Sequence, residues 1–388
     1  MLSLSLISFL LLQIFSINCL SFDDMEDSFF EIKIDRDDPN KLFKEFEDFI
    51  VKYKRVYKDE IEKKFRYEQY VRTHNRVQKL NEKVEKLGHD TKYGINKFSD
   101  RTKDEINSLF SKYGPSNTSN VPMLDLNNLR VKREVEHLPK SFNLRNKKVG
   151  GRYVIGPVKN QGNCSCCWAF AATALAEVAL SVHMKKLIVR LSESLYVEHS
   201  IFQTLSDQEV CDCAAPHGPG CSGALPTDGL EYIKNTGLAT DTEYPYNENR
   251  SLVAGRCDAH NHDRELNPYT LVYGGIDPFN AEHLITRALF NQNVPVAVAF
   301  RTSQTFAYYK EGILELQDCL ESEENHWHSG IIVGYGKTIN SKGREVEYWD
   351  FKNSWDNDWG DSGYARIVRS QDWCNIESYG VGAYIPEE

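Results

Sequence analysis

Apolar residues follow three different rhythms along this chain. Between Asn40 and Leu87, Phe43, Phe46, Phe49 and Ile50 recur at three- and four-residue steps, as do Phe65, Tyr70, Val77 and Leu80 or Val84. Lys, Arg and Glu fill the intervening positions, which predicts a pair of amphipathic helices. Residues 168–183 are almost wholly apolar, with Phe170, Ala174, Val178 and Val182 on one stripe, and predict a buried helix. Beyond about residue 265 the pattern turns to short strands: Val294–Phe300, Ser329–Tyr335, Val346–Phe351 and Tyr364–Val368. Helices followed by strands predict an α+β body of two subdomains with a cleft between them.

The segments between these blocks carry other signals. Leu2 to Phe15 is an apolar run, too short to span a bilayer comfortably and placed where a secretory signal peptide belongs, although a basic leader is missing. Residues 1–20 are therefore expected to be a signal peptide, with a lysosomal or extracellular destination. No later segment is expected to reach 18 apolar residues, so stable membrane insertion is not anticipated. Residues 111–137 are turn-rich, with Gly114-Pro115-Ser116-Asn117 and a basic Lys132-Arg133 pair, and predict an exposed linker open to proteolysis. Asn117 and Asn249 each open a glycosylation sequon.

Charge narrows the partners. The net charge of −10 falls after residue 137, because the first 137 residues are balanced. An acidic body without a basic patch argues against nucleic acid. Of ten cysteines, nine lie after residue 160, which suggests disulfides and leaves at least one free thiol. Their spacings, C-x-C-C at 164–167 and C-x-C at 211–213, are not the C-x-x-C pairs of zinc sites, so neither a metal nor another cofactor is expected.

Cys167 stands directly before the apolar helix. A thiol there meets the positive end of the helix dipole, which favours the thiolate that would attack an amide carbonyl. The surrounding segment, Gln161-Gly162-Asn163-Cys164-Ser165-Cys166-Cys167-Trp168-Ala169-Phe170, resembles the signature of papain-like cysteine peptidases. Two further blocks are similar to that family: Trp327-His328-Ser329-Gly330 running to Gly334-Tyr335-Gly336, and Tyr348 to Trp355 with Asn353, continuing to Gly363-Tyr364. His328 and Asn353 lie 161 and 186 residues beyond Cys167, more than the family's roughly 130–150, so insertions are implied.

The resemblance implies a papain-like fold, with a helical subdomain and a β-barrel-like one, and an endopeptidase working through an acyl-enzyme. Cys167 would be the nucleophile, His328 the base and later acid, and Asn353 the group that orients the imidazole under the shield of Trp355. Gln161 and the Cys167 N–H would form the oxyanion hole. His326 competes for the base, but spacing to Gly334-Tyr335-Gly336 selects His328. Family positions imply the disulfides Cys164–Cys221, Cys213–Cys257 and Cys319–Cys374. Cys166 and Cys211 are left over, and a fourth bond between them is suggested because each lies beside a cysteine of the same cluster. Gly223, Ala224, Leu225, Pro226, Trp327, Ser329, Trp355 and Tyr379 would meet the substrate, with His326 on the pocket wall. Tyr379 on the pocket floor favours small or medium aliphatic P2 side chains. Ala224, Trp327 and Asp356 depart from the family pattern. They admit an alternative, a catalytically weak homologue acting as a binding protein.

Upstream, Glu62, Arg66, Tyr70, Thr73, Val77 and Asn81 resemble the family's propeptide helix pattern, and Gly94-Ile95-Asn96-Lys97-Phe98-Ser99-Asp100 matches its second motif. Residues 40–114 would then be an inhibitory propeptide, 115–137 a linker with the activation site, and 138–388 the peptidase. Partners would be protein or peptide substrates and the chain's own propeptide, with the protein a monomer. Ion pairs involving Glu62, Arg66 and Asp100 are expected to hold the propeptide together and to weaken in acid.

Overall fold

The computed structural model describes residues 41–115, 121–125, 138–149, 151–191, 204–247, 257–320 and 325–386. The expected signal peptide, both sequons at Asn117 and Asn249, and most of the 115–137 linker lie outside the described residues.

The chain divides into two compact units, up to Asn75 and from Arg76 onward. In the first, α1 (Lys41–Lys52) and the opening turns of α2 (Glu60–Lys86) share an aromatic cluster. Phe46 packs on Tyr67 and Tyr70 with ring centroids 5.2 and 5.3 Å apart, and Phe49 lies 5.2 Å from Tyr70. The buried stripe of α1 is Leu42, Phe46 and Phe49. Phe43 and Phe65, read from the sequence as part of the apolar faces, are instead exposed. Their outer faces carry cations instead, Lys63 5.8 Å from the Phe43 ring and Arg66 5.6 Å from that of Phe65.

The second unit begins inside α2, whose Val77 and Val84 join the main core. The side chain of Asn81 holds both backbone groups of Tyr93 in β1 (Lys92–Tyr93), at 3.0 and 2.9 Å. A short helix, α3 (Lys103–Asn107), follows under a reciprocal capping box between Thr102 and Glu105. The long central helix α4 (Cys167–Leu191) runs beyond the expected 168–183. The Lys185-Lys186 pair, which interrupts the apolar pattern, does not end it because lysine is itself a good helix former. Its first eighteen residues are long and apolar enough to cross a membrane by composition, contrary to expectation, yet most of that stretch is buried as an interior helix.

Helix α5 (Asp207–Cys213) is capped by the Ser206 hydroxyl, which accepts from Glu209 N at 3.0 Å. The Glu209 carboxylate does not close the reciprocal half of a capping box. It is buried and bonded instead to Arg264, to Tyr232 Oη at 2.8 Å and to Ala239 N at 3.0 Å. Helix α6 (Pro226–Thr236) packs closely on α4, because a Cβ at Gly229 would come 2.7 Å from the Ala172 methyl. Lys159 bridges α4 and α5 through Glu177 at 2.8 Å and Asp207 at 2.7 Å. Burial opposes its charge, but the two carboxylates outweigh that and hold its pKa above the ordinary lysine value.

The strands form a largely antiparallel sheet. In chain order they are β2 (Phe142–Asn143), β3 (Val272–Gly275), β4 (Val296–Arg301), β5 (Tyr309–Glu311), β6 (Ile313–Leu314), β7 (Trp327–Ile339), β8 (Glu345–Lys352), β9 (Tyr364–Val368) and β10 (Gly380–Tyr384). The sheet runs β3-β10-β4-β7-β8-β9-β6, with β2 added on β7, while β5 pairs separately with β1. Long helices before residue 240 and, β2 apart, sheet strands after 270 make the α+β, papain-like body expected. The structure pairs Cys164 with Cys221, Cys166 with Cys211, Cys213 with Cys257 and Cys319 with Cys374. Among the described residues Cys167 alone keeps a free thiol.

Candidate active site

Cys167 is the first residue of α4 because the preceding loop supplies the helix cap. The carbonyl of Cys166 accepts from Ala169 N at 2.9 Å and from Phe170 N at 3.2 Å. His328 lies on β7 opposite Phe300 of β4, and Asn353 follows the last residue of β8. That strand order carries the imidazole to the asparagine, with His328 Nε2 2.8 Å from Asn353 Oδ1. The ring is fully buried among Trp355, Phe306, Phe300 and Phe110, at centroid distances of 4.7, 5.5, 5.7 and 5.8 Å. Its Nδ1 has no hydrogen-bond partner among the described residues.

Burial governs the ionisation of both groups. It pushes the Cys167 thiol up to about 11, against weaker hydrogen bonds from Ser329 and Trp168. It lowers the His328 imidazole to about 4, against the opposing bond to Asn353. The expected preference for thiolate is therefore corrected for this state. The helix dipole contributes, but removing a charge from water costs more.

Gln161 is held by its own neighbours. Its backbone N–H donates to Ser354 O at 2.9 Å, and its Oε1 accepts from Ser354 Oγ at 2.7 Å. The remaining amide group, Nε2, donates to Cys164 O at 2.8 Å and to Leu109 O at 3.0 Å. Leu109 belongs to the segment that follows α3. Two residues on, Ser111 pairs with Trp327 in both directions, N–H to carbonyl, each at 2.8 Å. Its hydroxyl lies against Gly223, where a Cβ would come within 2.3 Å. Gly223 has φ +92°, so the close approach and the backbone conformation both call for glycine there. Tyr113 stacks on His217 at 4.3 Å, and the backbone at Gly114 passes directly over the Trp327 indole.

Earlier residues of this segment grip the same wall. Asn96 Nδ2 donates to Ala307 O at 2.7 Å, and Lys97 Nζ reaches Trp355 O at 2.6 Å and Asp358 at 2.8 Å. Phe98 packs edge-on against Trp355 at 5.2 Å. Of the other expected contacts, Ala224, Pro226, Ser329 and Tyr379 are buried, and the Tyr379 hydroxyl donates to Thr227 Oγ1 at 3.1 Å. Leu225 is half-buried at the start of α6, with its N–H on Asp228. His326 lies 6.1 Å from Phe110 and not beside Asn353.

A sequence profile described as papain family cysteine protease matches residues 138–384, and one described as cathepsin propeptide inhibitor domain matches 46–106. The chain is a papain-family cysteine protease. The protease is 31% identical over 347 residues to senescence-specific cysteine protease SAG12 of Arabidopsis thaliana, covering 88% of this chain and 89% of that one. It is 30% identical over 334 residues to a cathepsin L-like proteinase of Phaedon cochleariae, covering 85% and 90%. Among solved structures it is similar to a recombinant stem bromelain precursor at 28% identity and a TM-score of 0.66, with 90% of this chain and 100% of that one covered. The protease thus carries a propeptide inhibitor domain ahead of its peptidase domain, the arrangement of a zymogen.

Several site residues carry no sequence signal of their own. Phe300 and Phe306 wall the imidazole, Ser354 fixes Gln161, and Leu109 meets Gln161 through a main-chain carbonyl. Only the register of β4 against β7 or the asparagine block itself could have pointed to the first and second.

Proposed function

We propose that the protease is an endopeptidase in which Cys167 attacks the scissile carbonyl carbon and His328 manages the protons. The thiol proton passes to the imidazole, and the cleaved amine leaves with it, giving a thioester at Cys167. Water then attacks that thioester while His328 takes its proton, and the acid product departs with the thiol restored. Asn353 orients the imidazole through Oδ1, and Trp355 covers that bond. The Gln161 amide and the Cys167 N–H hold the oxyanion.

The observation that carries this reading is the fully buried His328–Asn353 pair at 2.8 Å, and the Gln161 amide donating to the main-chain carbonyl of Leu109 supports it. In that bond the amide holds a peptide carbonyl, the task the reading assigns to it. Residues 40–114 act as the intramolecular inhibitor, 115–137 hold the activation cleavage, and 138–388 form the enzyme. Gly223, Ala224, Leu225, Pro226, Trp327, Ser329 and Tyr379 line the substrate cleft, and Tyr379 shortens the pocket for the P2 side chain. A cleaved signal, glycans at Asn117 and Asn249, and a lysosomal or extracellular location complete the reading. Peptide-library profiling across pH 4–8 with wild type and Cys167→Ala tests it. Cleavage with small aliphatic P2 residues, abolished in the variant, is expected. Cleavage that survives Cys167→Ala overturns the assignment.

A further inference from the structure

The residue that caps the helix of Cys167 is itself covalently tied. Cys166 accepts the first hydrogen bonds of α4 through its carbonyl, and its sulfur is bonded to Cys211 in α5. Helix α5 is a rigid anchor: Glu209 is bonded to Arg264, Tyr232 and Ala239, Asp207 to Lys159, and Cys213 to Cys257. The Cys164–Cys221 bond lies against the same spot, with Cys164 Sγ 3.0 Å from Cys166 Sγ and 3.9 Å from Cys211 Sγ. The loop above leaves no slack. A Cβ at Gly220 would come 2.0 Å from Cys211 O and 2.6 Å from its Sγ, and the Gly220 carbonyl accepts from Trp168 Nε1 at 3.4 Å. Cys164, Cys166 and Cys211 are all fully buried.

We propose that the Cys166–Cys211 bond is a positioning crosslink for the nucleophile. It fixes the helix cap, so that the Cys167 thiol and N–H keep their places relative to Gln161 and His328. This rests on the reading of Cys167 as nucleophile. The Cys164–Cys221 bond fixes the loop two residues before the cap, and Cys166–Cys211 fixes the cap itself. Without the second bond the cap residue keeps its backbone hydrogen bonds and core packing but loses its covalent tie to α5, and the first turn of α4 can shift. A displacement of about 1 Å at such a centre costs on the order of 100-fold in rate. Cys166 and Cys211 therefore act through Cys167 and do not touch substrate.

The test uses the processed enzyme from Cys166→Ser/Cys211→Val and, as a second pair, Cys166→Ala/Cys211→Ala. Three readouts are taken: kcat and KM separately, the pH profile of Cys167 alkylation by iodoacetamide, and Tm. The expected result is a fall in kcat of roughly 10- to 100-fold, with KM held and the alkylation profile moved to higher pH. A lower Tm with kcat and the alkylation profile unchanged would make the bond a plain staple and overturn the proposal. If neither double variant yields processed enzyme, wild type is titrated with a dithiol, which reduces the bond to two thiols and is itself oxidised to a cyclic disulfide. Loss of kcat should track the appearance of free Cys166 and Cys211 by mass mapping; activity that persists once both are free overturns the proposal. Cys167→Ala is assayed alongside, because activity surviving there sinks the nucleophile reading and not the crosslink.

Discussion

The side-chain amide of Gln161 donates to the backbone carbonyl of Leu109 at 3.0 Å. The group proposed to steady a developing oxyanion is thereby engaged by a neutral main-chain carbonyl three residues beyond the matched propeptide inhibitor domain. The bond is supported on both sides, by Phe98 against Trp355 and by Ser111 paired with Trp327. On the proposed boundary these contacts belong to the propeptide, and changing their side chains leaves the processed enzyme unaltered.

Gly114→Ala is the cleanest such change. Its methyl would meet the Trp327 ring at about 2.0 Å, so the segment must lift where it leaves the cleft. The precursor should gain residual activity and process faster, while the processed enzyme is identical to wild type. Both are read with a fluorogenic peptide before and after maturation, and a precursor as silent as wild type would count against the contact.

Phe98→Ala removes a side chain that is only 2% exposed. Emptying such a site costs about 3–5 kcal/mol in a well-packed core. The half-time for acid processing should shorten markedly, and isolated residues 40–114 added in trans should inhibit more weakly. Unchanged inhibition by the variant propeptide would show that Phe98 contributes little.

Asp90 supplies a pH-dependent hold. The Ser341 hydroxyl and N–H both donate to its carboxylate and keep its pKa below the usual carboxylate value. A carboxylate with a depressed folded-state pKa contributes stability that is present above its unfolded pKa and is lost as pH falls through the folded value. The contact should therefore hold near neutral pH and fade below about pH 4. Asp90→Asn is expected to process at higher pH and with a shallower pH dependence. A processing profile that overlays wild type would remove Asp90 from the release step. Glu62 and Arg66, also expected to hold the propeptide together, pair at 3.6 Å near the start of α2.

The thiol itself should report the state of the cleft. With Cys167 raised to about 11 and His328 lowered to about 4, both groups are neutral between those values while the propeptide is bound. At pH 7 the thiol is then overwhelmingly in its neutral form. Alkylation of the precursor should be slow and rise tenfold per pH unit. The processed enzyme, its site opened to water, should label rapidly well below pH 7. Equal rates for the two forms would mean that burial does not control this cysteine.

Gln161→Ala should lower kcat by roughly 10²- to 10³-fold with little change in KM, as expected for one lost oxyanion donor. A change confined to KM would place Gln161 among ground-state contacts instead.

The parts of the site legible in the sequence are those that chemistry restricts to one side chain: Cys167, His328, Asn353 and Gln161. Strand identities were legible as well: Val294–Phe300 is a short, continuous apolar run, and Tyr364–Val368 is apolar except for the outward-facing Arg366. Leu109 was not, since any residue offers the same carbonyl and the constraint lies in the path of the backbone. The length of α4 was misjudged because its apolar stripe stops at Lys185 while its backbone continues. The ionisation of Cys167 was misjudged because a helix terminus can be read from sequence, whereas what covers it cannot.

Strand β1 belongs to the propeptide, and it pairs with β5 through Lys92 opposite Glu311 and Tyr93 opposite Tyr309. When the propeptide departs, that edge of the body loses its partner and offers unpaired N–H and C=O groups to any other chain. Lys310 and Glu311, both exposed in β5, place charge on the bare edge and discourage such pairing. Maturation thus exposes a potential adhesive seam, and the protein carries its guard against self-association in the strand that is left behind.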